Sequence, residues 1–254
     1  MYRTKEIAEL VGVHPNTVRI YEEWGFISPV PRGDNNYRMY SDVHLLQLNI
    51  ARTLFRCEIV QGNMRHRARQ IVYASGAEDF GQARRLTADY IVHLEREYEH
   101  ALAAANVVQR WLSNSPAPSA TKHSRRDVAR ILGTTPETIR NWERNGLLTV
   151  PRTDKGYRVY GCAELEQLRV IRGLRAAHYS MSAILRLLQQ VDQPHPDVIK
   201  ILNTPSTGDE IVSVTDQLVS SLTAAQNDAA EALAMLTNHI LATHGRNDGS
   251  KKPV

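Results

Sequence analysis

The sequence predicts a mostly α fold: two winged helix-turn-helix domains, each followed by a long helix. Three observations predict it. One segment occurs twice, each copy holds two short helical stretches around a glycine turn, and a long apolar seam follows each copy.

The repeat comes first. Residues 6–28 read EIAELVGVHPNTVRIYEEWGFIS and residues 127–149 read DVARILGTTPETIRNWERNGLLT. Gly12 pairs with Gly133, Pro15 with Pro136, Arg19 with Arg140, Glu22 with Glu143 and Gly25 with Gly146. After a shift of one residue, VPRGDNNYRMY (30–40) faces VPRTDKGYRVY (150–160). Leu45, Gln47, Leu48 and Arg52 then face Leu165, Gln167, Leu168 and Arg172. A repeat of this length is a duplicated domain.

Within each copy, Ile7, Ala8 and Leu10, or Val128, Ala129, Ile131 and Leu132, form the apolar face of a helix. Ser124 to Asp127 reads as a capping box. Gly12 and Gly133 supply the turn, and Pro15 and Pro136 suit the first turn of the next helix. Gly25 and Gly146 end that helix. Turn residues 33–36 and 153–156, flanked by Tyr37 to Tyr40 and Tyr157 to Tyr160, predict a short β-hairpin, the wing. A further helix starts near Asp42 and Ala163.

Ile91, Leu94, Tyr98, Ala101, Ala105, Val108 and Leu112 make a heptad seam over 88–112. Ile211, Val214, Leu218, Leu222, Ala225, Ala229, Leu233, Leu236 and Ile240 make a second over 210–243, with a stutter near Leu218. The predicted partition is a first domain at 1–75, a first long helix at 76–112 and a linker at 113–123. A second domain at 124–190, a connector with the second long helix at 191–244 and a flexible tail at 245–254 follow.

Charge and cysteine content narrow the function. The chain carries a net charge of +4, and residues 122–188 hold about thirteen Lys/Arg against about six Asp/Glu. That distribution favours a polyanionic partner. Arg65, Arg67 and Arg69 add a small basic cluster. Cys57 and Cys162 have no Cys or His at metal-ligand spacing, so no metal site and no cofactor are expected. No nucleophile–base spacing, phosphate loop or paired-acid motif points to an enzyme. Without a signal peptide or an apolar run of spanning length, a cytoplasmic protein with no membrane contact is expected.

The second helix of a helix-turn-helix presents its first residues to base edges in the major groove of double-stranded DNA. Those residues are His14, Asn16 and Thr17 in one copy and Thr135, Glu137 and Thr138 in the other. Asn pairs with adenine and Glu accepts from cytosine. Arg19 and Arg140 follow, placed for a phosphate or a guanine. From the wings, Arg38, Arg158 and Lys155 reach phosphates, with Tyr37, Tyr40, Tyr157 and Tyr160 adding hydroxyl contacts or packing.

TVRIYEEWGFI with NYRMY, and TIRNWERNGLL with GYRVY, resemble the winged helix-turn-helix of the MerR family of bacterial transcription regulators. The resemblance covers each copy through its wing and following helix, and extends less strictly to the long helices. It implies DNA contact by Arg19, Tyr21, Tyr37 and Arg38, and by Arg140, Trp142, Tyr157 and Arg158. It also implies RNA polymerase as a partner and promoter DNA distorted at an overlong spacer. Members are usually single-copy chains that dimerise, and metal-sensing members carry cysteines that are absent here. A DNA-architectural, excisionase-like factor of a mobile element is the alternative reading. The expected assembly is a pseudo-dimeric monomer, its two long helices paired as an antiparallel coiled coil; a domain-swapped homodimer is the rival.

Overall fold

The computed structural model describes residues 1–57, 63–113, 121–190, 196–204 and 217–248. Among these residues the secondary structure is helical, with isolated β-bridges and no strands. The chain divides into two compact units, Met1–Arg96 with Ser221–Val254, and Glu97–Ser220.

In the first unit, α1 spans Thr4–Val11 and buries Ile7 and Ala8. Glu6 reaches back to accept from the Arg3 backbone N–H at 2.6 Å, a charge-assisted cap. Gly12 ends the helix at φ 69°, a left-handed conformation that glycine adopts without steric cost. α2 spans Pro15–Glu23 with Pro15 in its first turn, and turns Val18 inward. α3 spans Asp42–Leu54, and α4 spans Met64–Gly76. Ile7, Val18, Ile27, Tyr40 and Leu48 close one core. α4 runs through the basic cluster, whose charged residues hide the apolar face of Met64, Ala68, Ile71 and Val72.

A buried amide fastens α3 to its neighbours. Gln47 Oε1 accepts from the Ser28 backbone N–H at 2.9 Å, and Gln47 Nε2 donates to the Ser75 carbonyl at 2.8 Å. Both ends of a fully buried amide are thus satisfied. Gln167, its counterpart, donates to the Leu147 carbonyl at 2.9 Å.

The second unit repeats the plan with α6 at Arg125–Leu132, α7 at Pro136–Arg144, α8 at Cys162–Ala176 and α9 at Met181–Gln189. The capping box at Ser124 forms: its side chain accepts from the Asp127 N–H, and Asp127 accepts from the Ser124 N–H. Val128, Ile139, Leu148, Tyr160 and Leu168 occupy the places of the first core. The short helix α10 spans Val198–Asn203.

Each wing is a tight loop held by isolated bridges rather than a paired hairpin. Arg32 bridges Arg38, and Arg152 bridges Arg158. A second bridge ties each wing base to the residues that precede the copy, Tyr2 to Tyr40 and His123 to Tyr160. His123, at the end of the expected linker, thus pairs with the base of the second wing. Residues 114–120 of the expected linker lie outside the described residues, as do Ile211, Val214 and the tail from 249.

The long helices are α5, Phe80–Ser113, and α11, Leu218–Asp248. α5 starts eight residues before its heptad seam, because Ala83 and Thr87 are buried as well. Leu94, Ala101, Ala105 and Val108 on α5, and Leu218, Leu222, Ala225, Ala229 and Leu236 on α11, are buried as their spacing predicts. Within the first unit, the Phe80 ring meets His239 edge-on at 4.4 Å, and Arg56 pairs with Asp228 at 3.1 Å and Glu231 at 3.3 Å. Within the second unit, the Tyr179 hydroxyl donates to the Ala101 carbonyl at 3.1 Å, and His178 lies 3.4 Å from Glu97. No helix among the described residues is long and apolar enough to cross a membrane.

Candidate nucleic-acid interface

The first turn of α2 presents His14, Asn16 and Arg19 to solvent, with Thr17 half-buried beside them. His14 also serves as the N-cap, its Nδ1 accepting from the Asn16 backbone N–H at 3.2 Å. In α7, Thr135 is the cap: its hydroxyl oxygen accepts from the Thr138 N–H at 3.1 Å. Glu137 and Arg140 are exposed there, and the spacing of one helical turn lets them pair at 3.3 Å. Glu137 also holds Arg144 at 2.6 Å. Asn16 stands where Glu137 stands, so Arg19 has no such carboxylate one turn before it. The two helices thus present different electrostatic faces at equivalent positions.

Each wing tip carries an exposed aromatic ring. Tyr37 is 62% exposed and Tyr157 72%. Arg3 places its guanidinium carbon 5.2 Å from the centre of the Tyr37 ring, a cation–π contact. Lys155 is exposed at the tip of the second wing. Arg32 and Arg152 close the loops, each donating from Nη1 to a tip carbonyl, Asn36 at 3.1 Å and Gly156 at 3.0 Å. These closures escaped the sequence reading, although the pair VPRGDNNYR and VPRTDKGYR places both arginines in register.

Arg38 and Arg158 do more than face solvent. Arg38 Nε lies 2.5 Å from Glu22 Oε2, and Arg158 Nε lies 2.7 Å from Glu143 Oε2. The hydrogen bond from Arg38 to Glu22 raises the pKa of that guanidinium. Each pair ties a wing to the helix before it. The second copy adds Arg125, whose Nη2 lies 3.0 Å from Glu143, and the Tyr160 hydroxyl, which donates to the same carboxylate. Burial, with Glu143 close by, pushes the Tyr160 phenol up to about 12.

Three of the residues named for DNA contact are buried. Tyr40 and Tyr160 are fully buried beneath their wings, each backbone pairing with the residue before α1 or α6. Their rings serve packing rather than the surface. Trp142 is 5% exposed and faces the core of the second copy. Tyr21 is half-buried, with its ring edge-on to Phe26 at 5.3 Å and Phe55 at 6.4 Å. The period of 3.6 places residues 21 and 142 at the boundary of the inner face, which sequence alone does not resolve.

No group of three or more His, Cys, Asp or Glu among the described residues could hold a metal ion.

The family described as MerR HTH family regulatory protein matches residues 2–58 and again residues 124–191. A mercuric resistance operon regulatory protein of Bacillus cereus is 37% identical over 68 residues, covering 26% of this chain and 52% of that protein. The chain thus spans about half the length of that relative. The HTH-type transcriptional regulator CueR of Escherichia coli O6:H1 is 28% identical over 129 residues, covering 47% of this chain and 96% of that protein. A mercuric resistance operon regulatory protein of Pseudomonas fluorescens is 27% identical over 129 residues, 50% of this chain and 80% of its own length. No solved structure gives a significant match. Each copy of the repeat thus carries its own match to the MerR HTH family.

Proposed function

We propose that the chain is a sequence-specific DNA-binding transcription regulator that reads promoter DNA with two unlike domains. One observation carries the reading: Arg19 and Arg140 are exposed at the same position of the two recognition helices, within two segments that match a regulator family. His14, Asn16 and Thr17 read one half-site, and Thr135, Glu137 and Thr138 read the other. Tyr37 and Tyr157 meet the backbone from the wing tips, with Lys155. Arg38 and Arg158 orient the wings through Glu22 and Glu143 while offering their remaining N–H groups to phosphates. The unlike reading residues favour an asymmetric site, since identical domains in a homodimer read a palindrome.

The proposed assembly is one chain acting as a pseudo-dimer, with α5 and α11 paired antiparallel. One contact in the first unit supports that direction: Phe80, at the start of α5, meets His239, well along α11. A reciprocal pattern supports it further. The corner after α3 in the first copy pairs with α11 through Arg56, and the corner after α8 in the second copy bonds to α5 through Tyr179. Each copy is thus completed by the long helix that follows the other. Promoter distortion with RNA polymerase as the partner is the mode of action proposed. Bending DNA costs several kcal/mol, roughly, and wings that grip both flanks offset it.

The test is fluorescence anisotropy on a duplex selected from random sequence by the full chain. Arg19→Ala and Arg140→Ala each weaken specific binding by about 1–3 kcal/mol. Unchanged affinity in both variants contradicts the reading.

A further inference from the structure

The first copy holds a feature that a helix-turn-helix does not require. A cavity of about 520 Å³ opens beside α2, within the range of about 300–1,000 Å³ typical of small-molecule sites. Phe26, 4% exposed, forms its floor. Four rings stand around it: Trp24 at 5.6 Å, Tyr21 at 5.3 Å, Phe55 at 5.2 Å and Tyr73 at 5.3 Å from the Phe26 centroid. Trp24 and Tyr73 remain 58% and 46% exposed, so the rings line an open mouth rather than a closed core.

Three guanidiniums complete the lining: Arg52 from α3, and Arg65 and Arg69 one turn apart on α4. Among the described residues the lining includes no carboxylate and none of these arginines is in an ion pair. The second copy builds the same fold with Trp142 in the place of Tyr21 but without three of the other rings. Asn145 replaces Trp24, Leu147 replaces Phe26 and Arg175 replaces Phe55. Leu147 is buried at the equivalent place, so an aliphatic side chain suffices for packing there. The ring cluster is thus additional to what the fold needs.

We propose that this cavity binds a planar aromatic anion, a small molecule with a flat ring and a carboxylate, sulfonate or phosphate at its edge. The ring stacks among Trp24, Phe26 and Tyr73, where edge-to-face geometry adds to burial. The anionic group meets Arg65, Arg69 and Arg52, which offer forked donors. A DNA backbone would use the arginines and leave the rings without a role. Ligand binding here is independent of the DNA-binding reading, although Tyr21 places the wall of the cavity on the recognition helix.

The test titrates the full chain, without DNA, with anilinonaphthalene sulfonate and with neutral N-phenylnaphthylamine, which has the same rings and no sulfonate. Fluorescence reports binding of each. One sulfonate probe per chain is expected, held about tenfold more tightly than the neutral probe. The double variant Arg65→Ala with Arg69→Ala removes that preference and leaves the neutral probe unchanged; Trp24→Leu weakens both probes. Circular dichroism checks that the fold is kept, as expected for two exposed residues on α4. Equal binding of both probes by the native chain overturns the proposal. So does a double variant that loses affinity for duplex DNA while binding the sulfonate as before, because the arginines are then phosphate contacts.

Discussion

Arg158 holds Glu143 across 2.7 Å, Nε to Oε2, and so ties the second wing to α7. The Glu143 side chain is 6% exposed and also serves Arg125 and Tyr160. Removing it leaves two guanidiniums and a phenol without their acceptor. Glu143→Ala is expected to lower stability by about 2–3 kcal/mol, read as a shift in urea midpoint at constant slope. Glu22→Ala is expected to cost less, because Glu22 is 19% exposed and Arg38 is its single ion-pair partner among the described residues.

The pair Glu137 and Arg140 behaves differently because both are exposed. An exposed pair is worth about 0–1 kcal/mol, so Glu137→Asn leaves the melting temperature nearly unchanged. It releases the Arg140 guanidinium and gives α7 the Asn that α2 has at position 16. Affinity for random duplex at low salt should rise, and base preference at the second half-site should move from cytosine towards adenine. A preference for cytosine that survives the change shows that Glu137 does not read it.

Two glycines in helices should respond with opposite signs. A Cβ on Gly76 would sit 2.2 Å from the Gly25 carbonyl oxygen, where the end of α4 crosses the turn after α2. Gly76→Ala is expected to lose about 1–3 kcal/mol, since backbone cannot yield as a side chain can. Gly173 in α8 has open space around it. There alanine gains about 0.5–1 kcal/mol from helix propensity alone. Thermal melts of both variants decide between close approach and mere turn chemistry.

Much of this architecture is legible in the sequence, for local reasons. The left-handed caps at Gly12 and Gly133, the prolines at the start of α2 and α7 and the box at Ser124 are short-range chemistry, and each forms. The buried seam of α5 follows from its period. What is not legible depends on tertiary contact. α4 is masked by its arginines, and the burial of Tyr40, Tyr160 and Trp142 depends on which side of a helix or wing meets the core. The role of Gln47 is invisible until Ser28 and Ser75 come together around it.

His44 makes stability depend on pH. Burial lowers its pKa, and its Nδ1 accepts from the Ser41 backbone N–H at 2.9 Å, which the imidazolium cannot do. The unfolded chain therefore binds more protons in the window below the ordinary value of about 6.5. Stability from this group is present above that value and is lost as pH falls through it towards the folded pKa. The native chain should lose stability between about pH 7 and pH 5 more steeply than His44→Gln, compared by urea denaturation at each pH. Parallel curves rule this role out.

On the proposed reading, a single chain carries two unlike DNA-reading heads. The mass of the complex between the full chain and its selected duplex, measured by light scattering at micromolar concentration, tests it most directly. One chain per duplex, on a site with two different halves, is the expected result. Two chains on a palindrome, or no complex beyond salt-sensitive non-specific binding, contradicts it.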